Sequence, residues 1–122
     1  MDVVLPSIVT DEDLPIMYSG AEAVLYTTLY EGFGLSVLEA MACGTPVVVS
    51  DIAPLRELCG DAALYAPPRD YEAFTDQILT VLSDKRERDR LSESGLARAA
   101  EYTWERTTEL TIEVYEKSFE GA

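Results

Sequence analysis

The chain has 122 residues, 48% of them apolar and 26% charged, a balance that excludes a disordered tail and supports one globular domain. Nine Lys and Arg against 23 Asp and Glu leave a formal net charge of −14, which repels phosphate backbones and anionic lipid headgroups and speaks against nucleic acid as a partner. The chain contains no His, so imidazole acid/base chemistry, Ser-His and Cys-His nucleophile pairs and His-ligated zinc are excluded.

In chain order, residues 3–5 (Val-Val-Leu) predict a short strand ended by Pro6. Thr10 with Asp13 resembles a capping box and predicts a helix over residues 11–19, closed at Gly20. Residues 23–27 read as a strand buried on both faces. A helix over residues 35–43 follows, with Gly44 past its end, and then the clearest strand, residues 46–50, with Pro46 at its start. Residues 55–59 predict a short helix stopped by Gly60, and residues 63–65 a third strand. Asp70 caps a helix whose Phe74, Ile78, Val81 and Leu82 form one apolar stripe. Asp84 with Glu87 starts another helix running to about Tyr102, and Thr103 caps a last one carrying Leu110, Val114, Tyr115 and Phe119. Strands alternating with helices argue for parallel βα units, whose binding groups gather at the carboxyl ends of the strands.

Cys43 and Cys59 lack CxxC spacing and read as buried thiols of a reducing compartment. No apolar run approaches the roughly 18 residues of a membrane span, and the first residues lack the basic start of a signal peptide; a cytoplasmic protein is expected. Asp11-Glu12-Asp13 is read as a helix start rather than a magnesium site, and the alternating charges of residues 85–90 as a solvated helix face. Trp104 with Tyr102 is expected to anchor the last helix by packing.

The stretch that carries chemistry is Tyr-Glu-Gly-Phe-Gly-Leu-Ser-Val-Leu-Glu-Ala-Met, residues 30–41, where a strand's carboxyl end turns through two glycines directly into a helix. Gly32 and Gly34 let the backbone approach a ligand and take φ values that other residues avoid. The unpaired amides of residues 33–37, with the macrodipole behind them, form an anion cradle. A Gly-x-Gly alone is a weak signal, since many turns need glycines. The flanking acids sharpen it. Glu31 opens the loop and Glu39 lies about one turn into the helix, close enough to the same cleft to address a second part of one ligand, and the two acceptor oxygens of a carboxylate suit the vicinal diols of ribose and hexose. Structural readings stand beside these: Glu39 bonding a neighbouring backbone amide, and Glu31 as a first-turn acid favouring the dipole.

Written as Glu31-Gly-Phe-Gly-Leu-x-x-Leu-Glu39-Ala-Met-Ala-Cys-Gly-Thr-Pro-Val-Val, two glutamates with seven residues between them, the segment closely resembles the donor-site signature of retaining GT-B glycosyltransferases of the glycosyltransferase 4 family. The resemblance takes in Asp13-Leu14-Pro15 and Ala21-Glu22-Ala23 upstream. Downstream it includes Arg56-Glu57-Leu58-Cys59-Gly60-Asp61-Ala62-Ala63, Pro68-Arg69-Asp70 and Tyr102-Thr103-Trp104-Glu105. It implies an α/β fold, a partial Rossmann-like parallel sheet of three to four strands flanked by helices. Residues 1–122 would form one partial domain, the later half of the donor-binding domain, with residues 103–120 as a helical tail.

The same resemblance implies that Glu31, in the catalytic position, contacts hydroxyls of the donor's sugar ring without doing acid/base work. The turn of Gly32, Phe33, Gly34, Leu35 and Ser36 would hold the donor phosphates and sugar, and Glu39 the ribose hydroxyls. The implied activity is transfer of a sugar from a nucleotide diphosphate sugar with retention of configuration and no bound metal. Ser36 departs from the family's frequent Pro, and its hydroxyl either donates to a phosphate or caps the helix.

Family enzymes carry a first domain with most of the acceptor site, and their diphosphate-neutralising cations lie upstream of the portion matched here. In this chain no Lys or Arg precedes Arg56. The expectation is a half-site that binds nucleotide sugars weakly or not at all and has no turnover alone. Half of a doubly wound sheet also leaves an edge that recruits another chain, so a homodimer or swapped assembly is expected, and the last helix, lacking the first domain, docks elsewhere or frays. The competing reading is a non-catalytic or engineered half-domain that self-associates; a nucleotide-sugar epimerase of the same architecture is a third.

Overall fold

Three parallel strands, β1 (Val24–Tyr26), β2 (Val47–Ser50) and β3 (Ala63–Ala66), lie side by side in that order in the computed structural model, which describes residues 3–121. Val24 stands opposite Val47, and Val47 opposite Ala63. The helices are α1 (Leu14–Gly20), α2 (Leu35–Ala42), α3 (Ala53–Cys59), α4 (Tyr71–Ser83), α5 (Lys85–Ala99) and α6 (Trp104–Glu120), with a 3₁₀ turn at Gly60–Ala62. Among the described residues no helix is long and apolar enough to cross a membrane.

The central strand explains the layering. All four residues of β2 are buried, which is why its valines show no polar alternation. Val47 and Val49 point into a cluster with Val37, Met41, Leu55 and Leu58 from α2 and α3, whereas Val48 points the other way, onto Phe74, Val81 and Leu91. Helices therefore cover both faces, and α5 closes one end by packing on both α2 and α4.

Local chemistry sets the ends of the helices. Asp70, Asp84 and Thr103 each accept from the amide three residues on, at 2.9, 3.1 and 3.1 Å, as their cap positions predict. Gly44, at φ 74°, ends α2 with the paired bonds Gly44 N to Met41 O and Thr45 N to Ala40 O, a Schellman closure that a residue with a Cβ adopts only at a cost.

Several sequence expectations are corrected. Residues 3–5 are exposed and join no strand; their β-propensity has no neighbour to pair with, because the described sheet ends at β1. That edge position also overturns burial of the first strand on both faces. It is three residues long and Leu25 is 46% exposed. Thr10 and Asp13 do bond reciprocally, but they close a turn over residues 11–13, and the helix begins only at Leu14 with Pro15 in its first turn. The fifth helix stops at Ala99 rather than near Tyr102. Cys59 is buried, which pushes its thiol up to about 11, but Cys43 is only half-buried.

The largest correction concerns the last helix. Trp104 is 80% exposed and no residue of α6 is buried, so Trp104 anchors nothing. The anchoring falls one turn earlier. Tyr102 meets the Phe33 ring edge-on at 5.8 Å, and Arg98 donates to the carbonyls of Glu57 and Leu58 at 2.7 Å each, capping the carboxyl end of α3.

Candidate functional site

The site is built on the turn between β1 and α2. The Thr28 amide donates to the buried Ser50 hydroxyl at the end of β2, at 2.8 Å, which fixes where the loop leaves the sheet. Gly34 then caps α2 with φ 99° and ψ 46°. A Cβ placed there would stand 2.8 Å from Leu55 Cδ2 and 3.1 Å from Leu58 Cδ2, so α3 rests on the turn and only glycine satisfies both backbone and packing. Gly32 differs from the sequence expectation: it has no left-handed φ, and an added Cβ would meet nothing within 4 Å. It contributes open space, not a special conformation.

Glu31 is held from two sides. Tyr26 Oη donates to Oε2 at 2.5 Å, and the Gly32 amide donates to Oε1 at 3.0 Å. The Tyr26 bond, with help from the Gly32 and Phe33 amides, keeps the Glu31 carboxyl below the usual carboxylate range; the same bond raises the Tyr26 phenol. A depressed carboxyl contributes stability that is present above the ordinary glutamate range and lost as the pH falls through the lowered value.

Glu39 has a looser partner, the Tyr18 hydroxyl at 3.4 Å. Burial and then the charge of Glu39 raise the Tyr18 phenol, while the Ser36 hydroxyl opposes the rise. Tyr18 in turn lies near enough to raise Tyr26. The two carboxylates are thus held by separate phenols, Glu39 by Tyr18 and Glu31 by Tyr26, which both pack on the same core cluster. Glu39 lines a largely apolar groove of about 770 Å³ with Leu35, Leu38, Tyr102 and Trp104; Gly32 and Phe33 line a smaller one, about 320 Å³, against Pro54 and Glu57; Glu31 lines neither.

The amide cradle is narrower than the sequence implied. The Gly32 amide bonds Glu31, the Phe33 amide adds only to the lowering of its carboxyl, and the Val37 amide donates back to Gly34 O at 3.0 Å. Among the described residues the Gly34, Leu35 and Ser36 amides remain without an acceptor at the helix start. The first cation of the chain offers no help, because Asp51 binds Arg56 through two bonds of 2.6 and 2.8 Å and the guanidinium lies 3.9 Å over the Tyr65 ring. The result is a turn rich in acceptors for hydroxyl groups, with three amides for an anion and no cation paired to either glutamate among the described residues.

Sequence reasoning missed Tyr26, Tyr18 and Arg98. Tyr26 had a signal: a phenol closing a strand five residues before Glu31. Tyr18 and Arg98 act across 21 and 40 residues of sequence, where no local pattern reaches.

Residues 2–98 match the family described as Glycosyl transferases group 1. The chain is 47% identical over 107 residues to O-antigen chain mannosyltransferase B of Escherichia coli, covering 88% of this chain and 28% of that protein. It is 37% identical over 113 residues to the MMP alpha-(1->4)-mannosyltransferase of Mycolicibacterium hassiacum, covering 89% and 28%. Among solved structures, sucrose-phosphate synthase from Thermosynechococcus elongatus superposes with a TM-score of 0.83 at 31% identity, covering 93% of this chain and 29% of that one. The chain therefore spans about 28% of the length of the two mannosyltransferases it matches.

Proposed function

Because this chain belongs to the glycosyl transferases group 1 family, we propose that it forms the donor-binding portion of a retaining glycosyltransferase of the glycosyltransferase 4 type, which moves a sugar from a nucleotide diphosphate sugar to an acceptor. Its parallel sheet and flanking helices are a C-terminal Rossmann-like portion of the GT-B fold. The observation that carries the reading is the pair Glu31 and Glu39 on either side of the Gly34 turn that starts α2, each met by a phenol, Tyr26 and Tyr18.

In this reading Glu31 accepts hydrogen bonds from the donor's sugar hydroxyls, and its lowered carboxyl keeps it an acceptor rather than a general acid. The Leu35 and Ser36 amides, with the Ser36 hydroxyl, face the diphosphate at the helix start. Gly32 leaves room for the donor, Gly34 sets the turn, Phe33 borders it, and Glu39 takes the ribose hydroxyls. No metal is assigned. The departing diphosphate is stabilised by amides, the α2 dipole, and cations supplied by residues outside this chain, which also bring the acceptor site; the setting is cytoplasmic. A helix terminus offsets only about 0.3–1 kcal/mol of anionic charge, so the isolated chain binds nucleotide sugars weakly and does not turn over. Two relatives are named mannosyltransferases, which makes a mannosyl donor the first to try.

Saturation-transfer NMR against nucleotide diphosphates and their sugars, repeated on Glu39→Ala, tests the assignment. Weak saturation of the ribose protons is expected with the unmodified chain, falling roughly tenfold with the variant as a charge-assisted bond is lost. Equal saturation in both contradicts the ribose role, and micromolar affinity of the isolated chain contradicts the half-site. A second reading, self-association, is supported by the free edge of β1 and the unburied α6; a concentration-independent monomer in sedimentation counts against it.

A further inference from the structure

We propose that Tyr26 is a positioning residue for the donor sugar: its hydroxyl, donating to Glu31 Oε2 at 2.5 Å, fixes the carboxylate in the one orientation that the Gly32 amide completes from the other oxygen. This rests on the reading of Glu31 as the sugar-binding acid. A carboxylate offers about four acceptor positions. Tyr26 occupies one on Oε2 and Gly32 one on Oε1, and the remaining position on each oxygen is left for a pair of ligand hydroxyls.

The hold is only as good as the group that makes it, and Tyr26 is well placed to be rigid. It is the last residue of β1, in register with Val49 and then Tyr65 across the sheet, and its ring packs on the core cluster of α2 and α3. A glutamate on a loop otherwise samples several rotamers, and each binding event must freeze them. Here the strand supplies the fixed point beforehand, which is preorganisation of the acceptor. No other side chain substitutes for it. Tyr18, the neighbouring phenol, is engaged with Glu39, and the groups acting on the Glu31 charge among the described residues are Tyr26 and the Gly32 and Phe33 amides.

Tyr26→Phe deletes the hydroxyl and keeps the ring. Carbon-detected NMR of the Glu31 carboxyl is followed against pH in the chain and the variant, with the affinities of GDP-mannose and GDP measured in both. The expected result is a Glu31 titration moved up towards the ordinary carboxylate range. GDP-mannose binding weakens roughly three- to tenfold, the size of one lost hydrogen bond, while GDP binding is unchanged. An unmoved Glu31 titration overturns the proposal, and so does equal weakening of GDP-mannose and GDP, which marks Tyr26 as merely structural. If GDP-mannose binds the unmodified chain no better than GDP, the sugar-binding reading of Glu31 itself falls, whatever the titration does. Should Tyr26→Phe fail to fold, Glu31→Gln reads the same bond from its other end: the Tyr26 phenol is expected to drop towards the ordinary tyrosine range, and an unmoved phenol overturns the proposal.

Discussion

Gly34→Ala is expected to cost the domain about 2–4 kcal/mol, the sum of a left-handed backbone penalty and local overpacking. Both contributions are present at this one position. The φ of 99° places any Cβ against its own backbone, and that Cβ lands 2.8 Å from Leu55 Cδ2 and 3.1 Å from Leu58 Cδ2. Neither leucine can retreat easily, since both are buried in the cluster beneath α2 and α3. For a domain whose total stability is about 5–15 kcal/mol, such a loss is large. It appears as a lower urea midpoint with an unchanged slope. Gly32→Ala is the control: two residues away, with open space and no left-handed φ, it is expected to stay within about 0.5 kcal/mol. Equal losses from the two variants would show that the turn is not pinned by α3.

Arg98→Ala is expected to cost about 2–4 kcal/mol by removing two charge-assisted bonds to the carbonyls at the end of α3. Its guanidinium reaches Leu58 O and Glu57 O at 2.7 Å, Glu101 at 2.7 Å and the Tyr102 hydroxyl at 3.3 Å. One side chain thus ties α5 to α3, the helix that rests on Gly34. Arg98→Lys retains the charge but cannot present a planar fork to two carbonyls, so it recovers only part of the loss. The Glu101 pair contributes little, because Glu101 is solvent-exposed. Urea unfolding of the two variants checks the order, and full recovery by lysine would show that charge, not geometry, is what α3 requires.

How much of this was legible beforehand follows from the range of each interaction. Caps at Asp70, Asp84 and Thr103 and the Gly44 closure are decided within a few residues, and the sequence displays them. The valines of β2 announce a strand covered on both faces because composition records burial directly. Residues 3–5 are equally β-prone, but a strand needs a neighbour, which local propensity does not reveal. Trp104 misled for the same reason: bulk and apolarity say that a residue benefits from burial, not that anything lies over it. At the candidate site the two glutamates and the glycine turn were visible through their spacing. The division of labour between Gly32 and Gly34 was not, since it depends on where α3 packs. Nor was the assignment of the Gly32 amide to Glu31 rather than to a ligand, which follows from a side-chain orientation set by Tyr26.

The central claim is that Glu31, Glu39 and the open amides of α2 address a single ligand. The most direct measurement follows the carboxyl carbons of all glutamates and the backbone amides of the labelled chain while GDP-mannose is added. The account predicts that Glu31, Glu39, Leu35 and Ser36 shift together along one weak saturation curve. Shifts confined to one of the two carboxylates, or appearing along the apolar groove while both carboxylates stay still, would contradict it.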